Sequence, residues 1–444
     1  MKERKNEEIA ITPSHLTKER TQIGLEDLPN IYFGHTRLAR SPMITIHLHH
    51  AVVVEALEYG VAMAMKRYLL LNLKVIKGED DYQFAWNEQS VLVKHMAFGD
   101  HKIHGANTNK FPWLVSYYEN YFVFSFSHAL FDGVGAFEVI KTILYYYAQK
   151  QGVSIEDVGT IKTVQDELEQ ALMKEMQLSL ESYHDKTVTP FPEKALQAPN
   201  HIAPDHLIAD EELSTCHRIT IDVDTLIPAI KRYETTPFAI LVPVFARSIQ
   251  PLYDCDKPVI QTQTVVNCRP VVQSRTLRNC IELAGIDYSS EKMGEMSIAS
   301  VATIFRSILD VKMNPDNLVA TMTKHYEGLS PLWKLPLDAR VDLLGQSVAS
   351  RMDSAFIFSY TGRIQLPPEL EALVSNFEIA VETSISPFLV EAIGYENKLT
   401  LVVTNRLKDT SYLDRVVTAL GELSINCTLE HIGHLPDCIY NPTS

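Results

Sequence analysis

The residues best placed to do chemistry are His128, Asp132 and Gly133, which spell H-x-x-x-D-G inside the segment Tyr121–Gly135, YFVFSFSHALFDGVG. A neutral imidazole titrates near 6.5, so it can accept a proton close to neutral pH. A carboxylate four residues on has two open roles. It can contact the imidazole and fix its tautomer, or it can turn away and hold the loop through a cation elsewhere. Gly133 permits a positive φ or a close backbone approach. A purely architectural account also covers the last two residues, because an aspartate followed by glycine makes a good helix N-cap. Sixteen histidines in this composition give roughly 0.03 chance occurrences of the pattern. Coincidence is therefore the weaker explanation.

The flanking sequence supplies the elements that would position these groups. Tyr121–Ser127 is aromatic and β-branched and reads as a strand. Val134, Phe137, Ile140, Leu144 and Tyr147 recur at helical spacing, predicting a helix over Gly133–Lys150. The motif thus sits where a strand runs out and a helix begins, a place where side chains point into crevices that bind ligands.

Further matches follow in order. VVNCRP (Val265–Pro270) is a strand ending in Asn-x-Arg. FSYTGRI (Phe358–Ile364) is a late S-x-x-G-R segment. YENKLTLVVT (Tyr395–Thr404) precedes a helix at Thr410–Leu423. Together these residues resemble the CoA-dependent acyltransferase superfamily, which includes chloramphenicol acetyltransferase, plant-type and alcohol acetyltransferases, and condensation domains. The resemblance spans about residues 28 to 425 and is specific in HxxxDG alone.

That resemblance implies a mixed α/β (α+β) fold of two chloramphenicol-acetyltransferase-like lobes, each a mixed sheet with helices, with a tunnel between them. It implies a transferase moving an acyl group from a thioester, acyl-CoA first, to a small-molecule alcohol or amine. His128 would be the base and Asp132 its structural partner, paired with Arg269. The reaction uses acyl-CoA as co-substrate and needs no metal and no bound cofactor. The alternatives are a condensation-like enzyme taking a phosphopantetheinyl thioester from an acyl or peptidyl carrier protein in trans, and a non-catalytic scaffold. Three departures stand out. Ser127 replaces the first histidine of a frequent His-His pair, the plant-type DFGWG is absent, and Tyr360 stands where relatives often carry Asn. The last leaves the oxyanion donor among Ser359, Thr361 and Ser127, which are equally candidates for lining the tunnel.

Other clusters have plainer readings. His47 and His49 share a strand face but lack a third ligand, so no metal site is expected. His101 and His104 fall in a polar segment and read as a solvated loop. Gly345–Ala349 (GQSVA) departs from the G-x-S-x-G elbow at its last position and follows a helical pattern. Phe122, Phe124 and Phe126 read as a core-facing stripe before they read as an acyl tunnel. No Walker loop or GxGxxG occurs, which disfavours nucleotide hydrolysis and dinucleotide chemistry.

The whole-chain numbers bound the rest. With 444 residues the chain is expected to hold about two lobes. The expected division is a polar arm at 1–28, an N-terminal lobe at 29–184, a Pro-rich crossover at 185–215 and a C-terminal lobe at 216–444. Forty Lys+Arg against 55 Asp+Glu leave a net charge of -15, which disfavours nucleic acid and anionic membranes. Six cysteines with no CxxC read as reduced thiols. The N-terminus lacks an apolar signal core, and Tyr59–Ile76 is broken by Lys66, Arg67 and Lys74, so no transmembrane segment and a cytoplasmic location are expected.

Overall fold

The computed structural model describes residues 21–22, 41–78, 80–96, 103, 106–166, 199–209, 212–349, 354–383 and 386–435. In chain order the first half contains β1 (Thr21–Gln22), β2 (Met43–Leu48), α1 (Val54–Arg67), β3 (Leu73–Lys77), β4 (Tyr82–Trp86), β5 (Val93–His95), β6 (Trp113–Tyr118), β7 (Tyr121–Phe126) and α2 (Gly133–Lys150). The second half adds β8 (Thr215–Asp222), α3 (Val223–Arg232), α4 (Pro237–Ile249), β9 (Val259–Asn267), β10 (Ile281–Ser289), α5 (Ile298–Lys312), α6 (Pro315–Leu329) and α7 (Leu337–Ala349). It ends with β11 (Phe356–Arg363), β12 (Val374–Ala380), β13 (Phe388–Tyr395), β14 (Lys398–Asn405), α8 (Ser411–Glu422) and β15 (Cys427–His434).

Two mixed sheets carry the architecture. One has five strands in the order β12-β2-β7-β6-β5, and the other seven in the order β10-β9-β11-β13-β14-β8-β15. A three-stranded sheet, β1-β4-β3, lies beside them. Within the larger sheet β11 runs parallel to both β9 and β13. β12, from late in the chain, pairs antiparallel with β2, so the second half completes the sheet of the first. No helix among the described residues is long and apolar enough to cross a membrane.

Strand alternation explains which side chains meet. Phe122, Phe124 and Phe126 are fully buried in the core that also holds Ala136, Phe137 and Ile140 of α2. The aromatic stripe is core, and the opposite face of β7 meets the larger sheet. There Val123 packs with Cys216 and Val402. On β11 and β13 the same rule sends Phe356, Phe358, Phe388 and Val390 into the second core against α4. Ile357, Leu389 and Ile393 go the other way, into the core of the first lobe. Ser359 and Glu391 share that second parity and so lie on the face between the lobes.

α4 starts at a Thr-Pro pair, with Thr236 Oγ1 accepting from Ala239 N at 3.2 Å and Pro237 in the first helical turn. Ser297 caps α5 in the same way. The helix over Thr410–Leu423 is present as α8, yet it is not the last element. β15 follows it and pairs with β8 as an edge strand. β15 alternates half-buried and exposed residues only over Cys427–Glu430 and is interrupted by an irregularity between His431 and Gly433, too short a pattern for sequence reading to use. Most of the 1–28 arm and of the Pro-rich 185–215 stretch lies outside the described residues.

Candidate active site

β7 ends at Phe126, and a turn over Ser127–Phe131 carries the chain to α2. Ser127 holds this turn. Its Oγ accepts from Ala129 N at 3.3 Å, and its backbone N donates to the Pro112 carbonyl at 2.9 Å. His128 is half-buried at the turn, edge-on to the Phe126 ring with centroids 6.1 Å apart. Its Nδ1 lies 3.1 Å from the Phe131 carbonyl oxygen. A carbonyl can only accept, so this contact places the proton on Nδ1, and in that tautomer Nε2 carries the lone pair.

Asp132 takes the second of the two roles open to it: it points away from the imidazole. It is 2% exposed and receives four donors. Oδ1 accepts from Gly135 N at 3.0 Å, which caps α2, and from Arg269 Nη2 at 2.9 Å. Oδ2 accepts from Arg269 Nη1 at 2.7 Å and from Cys280 N at 3.0 Å. Four donors fill the four lone-pair sites of a carboxylate. Arg269 is held in turn by the Thr276 carbonyl at 2.8 Å, the Arg278 carbonyl at 2.7 Å and Asn267 Oδ1 at 3.3 Å. A bidentate, charge-assisted pair with every remaining site satisfied is the geometry in which a buried ion pair holds two bodies in register. Here it ties the start of α2 to the β9–β10 connection.

The glycines divide the work in a way the motif does not announce. A Cβ on Gly133 would make only ordinary contact, 3.6 Å, with Thr361 Oγ1. A Cβ on Gly135 would stand 2.0 Å from the Leu277 carbonyl oxygen. Close backbone approach is thus the property of Gly135, two residues past the motif. Thr361 reaches Gly133 because β11 bulges there. The register to β13 shifts between Tyr360 and Gly362, and Gly362 has φ +94. A bulge beside a site re-aims one side chain, here Thr361, toward the start of α2.

Ser359 lies directly across from Glu391 in the β11–β13 pairing, and each is 8% exposed. Burial pushes the Glu391 carboxyl up to about 7, partly offset by the neighbouring Ser359 hydroxyl. Sequence reasoning missed Glu391 and Gly135. The glycine spacing in DGVG was a usable signal for Gly135. Nothing local marks Glu391, since its neighbour Ser359 is 32 positions away in the chain and only the sheet brings them together.

The structure thus brings His128, Asp132, Gly133, Arg269 and Thr361 to one junction, with Ser127 inside the turn and Ser359 further along β11. The other histidines are elsewhere. His47 Nε2 lies 3.1 Å from Glu378, which also binds Arg218 at 2.7 Å, while His49 and His50 are exposed. His101 and His104 lie outside the described residues. Gly345–Ala349 is helical, the end of α7, and so lacks the strand-to-helix turn a nucleophile elbow requires.

No family model matches the chain, and no curated protein matches its sequence. Solved structures do match. TRI101 of F. graminearum, complexed with coenzyme A and T-2 mycotoxin, aligns at a TM-score of 0.58 with 12% identity over 92% of this chain and 99% of its own. TRI3, the trichothecene 15-O-acetyltransferase from Fusarium sporotrichioides, aligns at 0.57 with 12% identity over 91% and 94%. The condensation domain from Monacolin K polyketide synthase MokA aligns at 0.53 with 10% identity over 90% and 96%. The chain therefore shares the mixed α/β fold of these acetyltransferases and of this condensation domain, the fold class that its HxxxDG resemblance implies.

Proposed function

We propose that this chain is an acyltransferase that moves an acyl group from a thioester, acyl-CoA first, to a hydroxyl or amine, with His128 as general base. The observation that carries this reading is the His128 ring, whose Nδ1–H is committed to the Phe131 carbonyl so that Nε2 presents the basic lone pair. Nε2 takes the proton of the acceptor O–H or N–H as that atom attacks the thioester carbonyl carbon. The tetrahedral intermediate collapses with loss of the C–S bond, and the imidazolium returns its proton to the departing thiolate. Asp132 is a positioning residue: its four hydrogen bonds fix the turn and the first residues of α2, and through them the ring. The chemistry asks for no metal.

The test is thiol release over a panel of acyl-CoAs and acceptors, with wild type and His128→Ala. Loss of at least about 100-fold in a His128→Ala protein of unchanged thermal stability supports the base assignment. Undiminished turnover overturns it. The similarity to a condensation domain favours one second reading, in which the same site takes its thioester from a phosphopantetheinyl arm on a separate carrier protein. Turnover with acyl-carrier thioesters and none with acyl-CoA selects that reading. Absence of turnover with both selects a non-catalytic scaffold.

A further inference from the structure

Two of the six cysteines stand opposite each other on the β9–β10 side of the site. The ladder pairs Asn267 with Ile281, so the next residues out are Cys268 and Cys280. Cys268 N donates to the Cys280 carbonyl at 2.9 Å, which keeps the register one residue past the strand ends. The other half of that exchange is diverted. The Cys280 amide donates to Asp132 Oδ2 at 3.0 Å, and the Cys268 carbonyl accepts from Val271 N and Val272 N at 3.0 and 3.1 Å. Both side chains are buried, 1% and 3% exposed, in one small cluster with Val266, Ala284, and Leu318 and Met322 of α6. No disulfide joins them.

Partners in a hydrogen-bonded antiparallel pair have Cα atoms about 5.5 Å apart, within the span of about 4.4–6.8 Å that a disulfide bridges. Their Cβ atoms, about 4.5–5.5 Å apart, must close by roughly 1 Å to reach disulfide spacing. The position permits that shift, because β10 pairs with β9 alone and is the edge of its sheet. The residues between the two cysteines are the ones that anchor the motif. They are Arg269, the Thr276 and Arg278 carbonyls that hold it, and the Leu277 carbonyl against Gly135. In the folded chain burial, then Glu282 and Cys280, push the Cys268 thiol up, so thiolate is scarce there. Exchange therefore goes through opening of the edge strand, or precedes burial of the hairpin during folding.

We propose that Cys268 and Cys280 form a reversible cross-strand disulfide that staples the β9–β10 connection on which the Asp132–Arg269 pair is built. The oxidant is a small-molecule disulfide. The Cys268 thiolate attacks one of its sulfurs, which forms a mixed disulfide and releases one thiol. The Cys280 thiolate then attacks the Cys268 sulfur, forms the Cys268–Cys280 bond and releases the second thiol. Two cysteine thiols lose two electrons and two protons, and the reagent takes them up as two thiols. The staple restricts the opened chain while keeping the native register, so the anchor of the motif becomes firmer as the thiol–disulfide balance turns oxidising. Among the described residues the other cysteines lie elsewhere: Cys216 packs with Val123 and Val402, Cys255 is exposed before β9, and Cys427 is on β15. The inference holds whether the chain is a catalyst or a scaffold.

The test uses the full chain in glutathione buffers at pH 8, from fully reduced to fully oxidised, both held folded and refolded from denaturant. Remaining thiols are alkylated before tryptic digestion and mass spectrometry. Trypsin cuts after Arg275 and Arg278, so the two cysteines leave on separate peptides that only the disulfide joins. The joined peptides are expected in the majority of refolded oxidised chains. The oxidised sample is expected to melt about 5–10 °C above the reduced one, the size of closing a short loop. Cys268→Ala and Cys280→Ala are each expected to lose the joined peptides and the oxidant-dependent shift. Each variant is compared with its own reduced form, so its baseline stability does not enter. Absence of the joined peptides from wild type under oxidant that consumes the exposed Cys255 thiol overturns the inference. So do joined peptides without a rise in Tm, and a shift that survives either substitution.

Discussion

Arg269→Ala should cost far more than its distance from the proposed chemistry suggests. The wild-type pair is 2% exposed on the Asp132 side and 10% on the Arg269 side, with N–O distances of 2.7 and 2.9 Å. Removing the guanidinium leaves Asp132 with only the Gly135 and Cys280 amides, so a negative charge stays buried without its counter-ion. It also strips hydrogen bonds from the Thr276 and Arg278 carbonyls. Breaking one half of a buried pair costs about 3–5 kcal/mol. At about 2–4 °C per kcal/mol for bodies of 150–250 residues, the apparent Tm should fall on the order of 10 °C. Differential scanning fluorimetry at 0.05 and 0.5 M NaCl reads both the drop and its origin, since a buried pair is screened little by salt. The double variant Asp132→Ala/Arg269→Ala should be less destabilised than the sum of the singles by about 2 kcal/mol or more. A Tm loss under 3 °C, or simple additivity, would refute the reasoning.

Three further outcomes are expected. Gly135→Ala should destabilise or abolish folding, because its Cβ meets the Leu277 backbone oxygen at 2.0 Å, whereas Gly133→Ala should keep a near wild-type Tm, its nearest atom being Thr361 Oγ1 at 3.6 Å; thermal melts of the two separate them. Burial, then His431 and His434, push His217 down to about 4 from an ordinary value of about 6.5. The unfolded chain protonates first, so stability present above pH 6.5 is lost as pH falls toward 4, and His217→Gln should flatten the Tm profile in that window. For Glu391 the sign reverses. The folded carboxyl titrates near 7 against about 4.3 in an unfolded chain, so stability falls as pH rises between those values, and Glu391→Gln should raise Tm at pH 8 but not at pH 4.5.

The local parts of the site were legible because they follow from chain-neighbour rules. Alternating aromatics in YFVFSF make β7, and α2 follows from apolar spacing plus an Asp N-cap. The strands β15 and β10 were not legible, since apolar residues do not mark their buried face: in β10 the buried positions include Glu282 while Leu283 is exposed. Phe377–Val381 reads as a strand by itself, close to the observed β12, but nothing local says that it crosses to pair with β2.

By itself the sequence determined the order of groups along the chain: His128 at the end of a strand, Asp132 at the start of a helix, and Arg269 after a second strand. Propensity, capping and spacing act over a few residues, and they suffice for that. Tertiary structure alone decided where each group points. Asp132 turns from His128 because Arg269, 137 residues later, and the Cys280 amide take its oxygens. Gly135 must be glycine because the Leu277 backbone crosses it, and Glu391 faces Ser359 because β11 and β13 pair in one register. These are contacts between segments far apart in sequence, and the free energy that selects them exists only when both sides of the interface are folded.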